Sequence, residues 1–220
     1  MIIKSRAAQK RRLVLLSLVV IGVACLTVAG LGLSDYLRTQ QGEYQPLPDT
    51  VRSSSDAPSE RDPGPVSDEY VVPADTPRAV RIPNLGVEAY VQKVAIDPEG
   101  RMATPGNIYF TGWYVGSVAP GEPGVSIING HAGGRYAPGV FDQIGSLSIG
   151  DSVQVQMGDG TWRNSIVTSV KTYSVEDALQ PLYDDDPGIN KELHLITCEG
   201  YFDQATQTYD QRVIVVASFD

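Results

Sequence analysis

The sequence predicts a mainly β domain, a barrel or sandwich, that follows a membrane-crossing helix and a disordered linker. Three features point there. From residue 78 onward, short apolar or alternating stretches are separated by Gly, Pro, Asn and Asp. Helical periodicity is scarce in that region, and residues 13–33 form one uncharged apolar run.

The apolar run comes first. Its 21 residues are dominated by Leu, Val, Ile, Ala and Gly, and a helix of that length covers about 30 Å, enough to cross hydrocarbon. Lys4, Arg6, Lys10, Arg11 and Arg12 all precede it, and no acid occurs before Asp35. The positive-inside rule then puts Met1 in the cytoplasm and the chain after Ser34 outside, an expected single-pass protein of the cell membrane. A cleaved signal peptide has a shorter apolar core, about 7–15 residues. Gly22-Val23-Ala24-Cys25 runs on into more apolar chain, which argues against a lipoprotein start.

The linker is expected over residues 34–76. Ser53-Ser54-Ser55 and Asp62-Pro63-Gly64-Pro65 typify its composition, and so few large apolar residues cannot bury enough surface to fold. The organisation read from the chain is a basic cytoplasmic segment (1–12), a transmembrane anchor (13–33), an extracellular linker (34–76) and a folded domain (77–220).

Within that domain, strands are expected at 78–82, 87–95, 125–129, 152–157, 163–172, 193–197 and 212–217, with Gly158-Asp159-Gly160 as a hairpin turn. Short helices are expected at 139–144 and 175–179. Residues 101–124 read as a loop in which Tyr109, Phe110, Trp113 and Tyr114 pack.

Charge excludes one class of function. The net charge is −9, and setting aside the five N-terminal cations leaves 12 Lys and Arg against 26 acids, or −14. An acidic body of that size lacks the basic stripe that neutralises phosphates, so nucleic acid is not an expected partner. Asp184-Asp185-Asp186 reads as a solvated loop, because consecutive carboxylates alternate faces on an extended chain.

The candidates for chemistry are few. The predicted topology separates Cys25, in the bilayer, from Cys198, outside it, so Cys198 is a lone thiol in an oxidising space and a candidate nucleophile or a buried core residue. Leu193, Leu195 and Thr197 alternate with His194, Ile196 and Cys198 on a strand that stops at Glu199-Gly200, which places Cys198 at its end. A thiol nucleophile needs a proton partner, and there are two histidines. His194, four residues away on the same strand, is about 13 Å distant. His131 ends another apolar stretch and opens the turn His131-Ala132-Gly133-Gly134, so only the fold could bring it to Cys198. Arg212 opens the last strand, where a fixed cation could hold a carbonyl oxygen or an oxyanion.

The order of His131, then a strand ending in Thr197-Cys198, then Arg212 resembles the bacterial sortases. Arg81-Ile82-Pro83-Asn84-Leu85-Gly86-Val87, Asn129-Gly130-His131, Leu195-Ile196-Thr197-Cys198 and Tyr209-Asp210-Gln211-Arg212-Val213 resemble that family's opening strand and its histidine, cysteine and arginine segments. The resemblance covers residue 78 to the C-terminus and looks nearest the actinobacterial-type class E and F enzymes. His194 departs from it, standing where many members carry Thr.

The resemblance implies a closed β-barrel of eight strands with short helices. It implies a cysteine transpeptidase, a thiol hydrolase by class, that needs no metal or cofactor. Such an enzyme cleaves an LPxTG-like sorting signal of a secreted protein between Thr and Gly, and passes the acyl group to an amine of the cell wall or a pilin. Cys198 would be the nucleophile, His131 the acid and base and Arg212 the oxyanion partner, with Thr197 a possible substrate contact. The competing readings are an L,D-transpeptidase, whose Ser-x-Gly-Cys setting is absent, and a tethered β domain that binds a wall component without catalysis.

Overall fold

The structure is a computed structural model that describes Leu33 and residues 57–97, 100–186, 188–203 and 208–219. The chain divides into two compact units, Met1–Gln41 and Gly42–Asp220, and all described residues but Leu33 belong to the second. The basic segment, nearly all of the expected anchor and the first part of the linker lie outside the described residues. Among the described residues no helix is long and apolar enough to cross a membrane.

Eight strands build the second unit: β1 (Pro77–Ile82), β2 (Val87–Val94), β3 (Thr111–Tyr114), β4 (Gly124–Gly130), β5 (Ser152–Met157), β6 (Trp162–Ser174), β7 (Lys191–Asp203) and β8 (Thr208–Phe219). They close into a barrel in the order β1-β2-β3-β4-β7-β8-β6-β5. The β2–β3 and β4–β7 pairs are parallel and the rest antiparallel. Closure leaves no open sheet edge. The expected eight-stranded barrel is therefore present, with one strand, β3, inside the segment expected to be loop.

Period-two alternation sorts the side chains. Val153, Val155 and Met157 on β5, Leu193 and Leu195 on β7, and Val213, Val215 and Ala217 on β8 fill the interior with Val80, Ile82, Ile128 and Phe141. A second apolar cluster lies on the outer face of β4, β7 and β8, where Ala178 and Leu182 cover Ile127 and Ile214. These two residues come from the β6–β7 connection, whose helix α1 spans Leu179–Tyr183, four residues beyond the expected start. Residues 140–143 are turns, followed by a 3-10 turn at Ile144–Ser146, in place of the helix expected at 139–144.

The segment ahead of β1 is a correction to the expected linker. Residues 57–76 are laid against the barrel. Tyr70 stacks edge-on to Tyr90 at 5.1 Å, Tyr90 meets Phe110 at 5.2 Å, and Val66 and Val72 pack on this trio. The Tyr70 hydroxyl donates to the Val91 carbonyl at 2.7 Å, the Tyr90 hydroxyl donates to the Pro65 carbonyl at 3.0 Å, and Arg78 donates to the Ser67 carbonyl at 2.7 Å. Three anchored aromatic rings outweigh a composition that otherwise favours disorder.

Candidate active site

The outer face of β4, β7 and β8 is a ladder whose rungs follow from register. Ile127 pairs with His194 and His194 with Val216; Asn129 pairs with Ile196 and Ile196 with Ile214; Cys198 pairs with Arg212. His131 is two residues past Asn129, as Cys198 is two past Ile196, so the parallel register carries His131 to the same level as Cys198. The residues at positions 131, 198 and 212 thus share one level of one face. His194 lies on this face too, two rungs away.

Thr197 faces the other way. It is 3% exposed, and its hydroxyl donates to the Gly130 carbonyl at 2.9 Å. The hydroxyl ties the end of β4 to β7, immediately ahead of His131 and Cys198, and so sets their level.

His131 is held by the chain on both sides. A Cβ on Gly130 would stand 2.6 Å from the Phe141 ring, so only glycine lets the strand end this close to the core. After the turn, the Phe141 amide donates to the His131 carbonyl at 2.9 Å. The ring's Nε2 lies 2.8 Å from the Pro105 carbonyl, which can only accept, so Nε2 carries a proton. The neutral ring then has its free lone pair on Nδ1. Burial lowers the His131 pKa below the ordinary histidine value, and the Pro105 hydrogen bond opposes that in part.

Cys198 is a free, half-buried thiol. Burial raises its pKa, while the Arg212 charge pulls it back down. At neutral pH both groups therefore rest uncharged, a thiol and a neutral imidazole. The Arg212 guanidinium is fixed from its own strand: Nη1 donates to the carbonyls of Tyr209 at 2.9 Å and Gln211 at 2.7 Å, and Nη2 donates to the Thr208 hydroxyl at 3.1 Å. A permanent cation with so little freedom suits a developing negative charge beside the sulfur.

Groups that sequence reasoning missed hold this site in place. The Asn129 side chain donates to the Ala103 carbonyl at 2.8 Å, drawing the segment that carries Pro105 over the ladder. Glu60, 3% exposed, accepts from the amides of Arg135 at 2.7 Å and Tyr136 at 2.9 Å, on the loop that follows His131. Ser59 exchanges backbone hydrogen bonds with Gly106 and Ile108, both 2.9 Å, and Asn107 donates to the Arg61 carbonyl at 2.9 Å. The segment at 59–61 thus joins the loop holding the His131 ring to the loop leaving its backbone. Hydrogen bonds to a charged acceptor contribute about 1.5–3 kcal/mol, so Glu60→Ala is expected to lower stability by about that much, read as a lower urea midpoint at unchanged slope.

No group of three or more His, Cys, Asp and Glu among the described residues is arranged to hold a metal ion. In the 184–186 acid run, Asp184 accepts from Gln180 at 3.0 Å and Asp186 from the Gly188 amide at 3.0 Å.

Solved structures share the barrel. Sortase C-1 from Actinomyces oris is 20% identical with a TM-score of 0.50, covering 64% of this chain and 72% of that one. Streptococcus agalactiae sortase C1 in complex with MTSET is 19% identical with a TM-score of 0.51, covering 68% and 71%. Sortase A from Corynebacterium diphtheriae is 23% identical with a TM-score of 0.49; the match covers 64% of this chain and 59% of that protein's length. No curated protein matches the chain. The family model of the sortase domain matches residues 80–220, well over half of the sequence and all of His131, Cys198 and Arg212, so the chain belongs to the sortase family.

Proposed function

We propose that this chain is a membrane-anchored cysteine transpeptidase that cleaves an LPxTG-like sorting signal between Thr and Gly and transfers the acyl group to an amine of the cell wall or a pilin. The observation that carries the reading is the cross-strand pairing of Cys198 with Arg212 at the level of His131. The Cys198 sulfur attacks the Thr carbonyl, and its proton passes to His131 Nδ1, the position left open by the Nε2 contact with Pro105. Arg212 stabilises the oxyanion. As the Thr–Gly bond breaks, His131 returns that proton to the departing Gly amine, leaving a thioacyl enzyme. An incoming amine then attacks the thioester, gives its proton to His131, and releases Cys198 as the new amide forms.

Residues 1–12 and 13–33, as cytoplasmic segment and single-pass anchor, complete the proposal, with the catalytic domain outside the cell and secreted proteins as clients. The charge distribution and length of the apolar run support it. The class E or F assignment belongs to the same proposal and rests on the sequence resemblance alone.

The test is intact-mass measurement of the full chain mixed with LPxTG-like peptides, with and without an amine. A peptide adduct on Cys198 that the amine discharges is expected. A chain that forms no adduct with any donor, under conditions where its fold is intact, overturns the reading.

A further inference from the structure

The loop that leaves His131 folds back on itself: the Gly139 amide donates to the Ala132 carbonyl and the Gly134 amide to the Ala137 carbonyl, both at 2.8 Å. The amides at its tip find their acceptor outside the loop, in Glu60. Oε1 accepts from Arg135 at 2.7 Å and Oε2 from Tyr136 at 2.9 Å.

Gly134 makes room for this contact. A Cβ there would stand 2.5 Å from the Glu60 carboxyl carbon. Glu60 is 3% exposed and holds an amide on each oxygen, so the carboxylate could yield to that Cβ only by leaving both amides.

The neighbours of Glu60 grip the run that holds the imidazole. Ser59 lies parallel to Asn107; its amide donates to the Gly106 carbonyl and its carbonyl accepts from the Ile108 amide, both at 2.9 Å. The Asn107 side chain donates to the Arg61 carbonyl at 2.9 Å. Gly106 directly follows Pro105, whose carbonyl keeps the ring proton on Nε2. The Ile108 carbonyl accepts from the Val140 amide at 2.8 Å, at the returning end of the loop. Residues 105–108 are thus tied to the segment 59–61 and to the loop base, while Glu60 holds the loop tip.

This geometry bears on the proton transfer. A ring that turned, or that carried its hydrogen on Nδ1, could not accept the Cys198 proton there.

We infer that Glu60 is a positioning residue for the reaction: it locks the loop leaving His131 to the run carrying Pro105, and so keeps the imidazole in the tautomer and orientation that leave Nδ1 open. The segment 59–61 precedes residues 80–220, the part of the chain that matches the sortase domain, so the tie is supplied from outside that domain. The effect on turnover rests on the transpeptidase reading; the effect on the ring does not. Glu60 acts through His131 and is not itself a catalytic group.

The test compares four full-length chains: wild type, Glu60→Gln, Gly134→Ala and Tyr70→Phe. Glutamine matches glutamate in size but has one acceptor oxygen, so its NH2 would oppose one of the two amides. Gly134→Ala breaks the same contact from the other side. Tyr70→Phe removes the hydroxyl bond to the Val91 carbonyl, on the same segment but away from His131. Glu60→Gln and Gly134→Ala are each expected to lower kcat about tenfold or more, with KM within about threefold, because misplacing a catalytic group by about 1 Å can cost about 10² in rate. Tyr70→Phe should keep kcat within about twofold.

The second readout is the imidazole N–H signal in chains labelled with 15N-histidine. The His131 Nε2 hydrogen should be long-lived in wild type and exchange with water about tenfold faster or more in Glu60→Gln and Gly134→Ala. His194, the other of the two histidines, is held by the Leu182 carbonyl and the Glu192 carboxylate and serves as reference; its signal should not change.

Wild-type kcat and His131 exchange in folded Glu60→Gln and Gly134→Ala overturn the inference. So does an equal loss of kcat in Tyr70→Phe, or a parallel change at His131 and His194, either of which marks a general stabilising role. Should Glu60→Gln not fold, Gly134→Ala carries the test. A wild type that forms no adduct with any donor overturns the transpeptidase reading instead, and the His131 signal then decides the positioning role alone.

Discussion

Cys198→Ala is expected to abolish both peptide adduct and amide transfer while leaving the fold intact. The side chain is half-buried on the outer face, where the Arg212 charge lowers its pKa against the effect of burial. It takes no part in the interior cluster of Leu193, Leu195, Val213 and Val215. Losing one sulfur there removes the nucleophile and little packing. Peptide turnover and thermal unfolding measured on the same preparation check this: turnover at background with an unchanged unfolding midpoint is the expected result, and residual transfer would assign the chemistry to another group.

His131→Ala is expected to lower kcat by about 10²–10⁴, the range that a positioned acid and base supplies. A second readout distinguishes two forms of the resting site. With the His131 pKa lowered and the Cys198 pKa raised, both groups are neutral near pH 7, so the small thiolate fraction is set by burial and Arg212. Alkylation of Cys198 should then be nearly indifferent to the loss of His131, although turnover collapses. A preformed thiolate–imidazolium pair would instead show both rates falling together. Because the pKa of the thiol is raised, its alkylation should accelerate as pH increases through and above the ordinary thiol range.

The residues of the candidate site could be named from the sequence, and most of what holds them in place could not. Alternation along 193–198 puts Cys198 on the face opposite Leu193 and Leu195, and the ladder has that parity. The expected strand end at Cys198 and strand start at Arg212 are corrected: β7 runs on to Asp203 and β8 begins at Thr208, with an irregularity after Glu199. The same reading offered two histidines and rejected His194 on distance alone; the fold keeps it two rungs away and gives it other partners. Composition failed where single long-range contacts decide. Residues 57–76 are polar and Pro-rich, yet Tyr70 and Glu60 anchor them to partners that are remote in sequence.

Local rules misled at two further points. Gly112 and its neighbours read as loop, but β3 takes a glycine because the Asn129 side chain occupies the space a Cβ would need. The helix expected at 175–179 begins only at Leu179, and Pro181 is in the first turn of α1, where a missing amide hydrogen costs nothing.

The burial of Cys198 bears on how long such an enzyme lasts. Oxidation to sulfenic acid and beyond proceeds through the thiolate, and a domain placed outside the cell, as proposed above, would have no cytosolic reductant to repair the damage. A thiol whose pKa is raised by its surroundings spends little time in the vulnerable form. Since its partner imidazole is neutral as well, ionisation can wait for a bound acyl donor. The same desolvation that makes the resting sulfur a poor nucleophile thereby preserves it between turnovers.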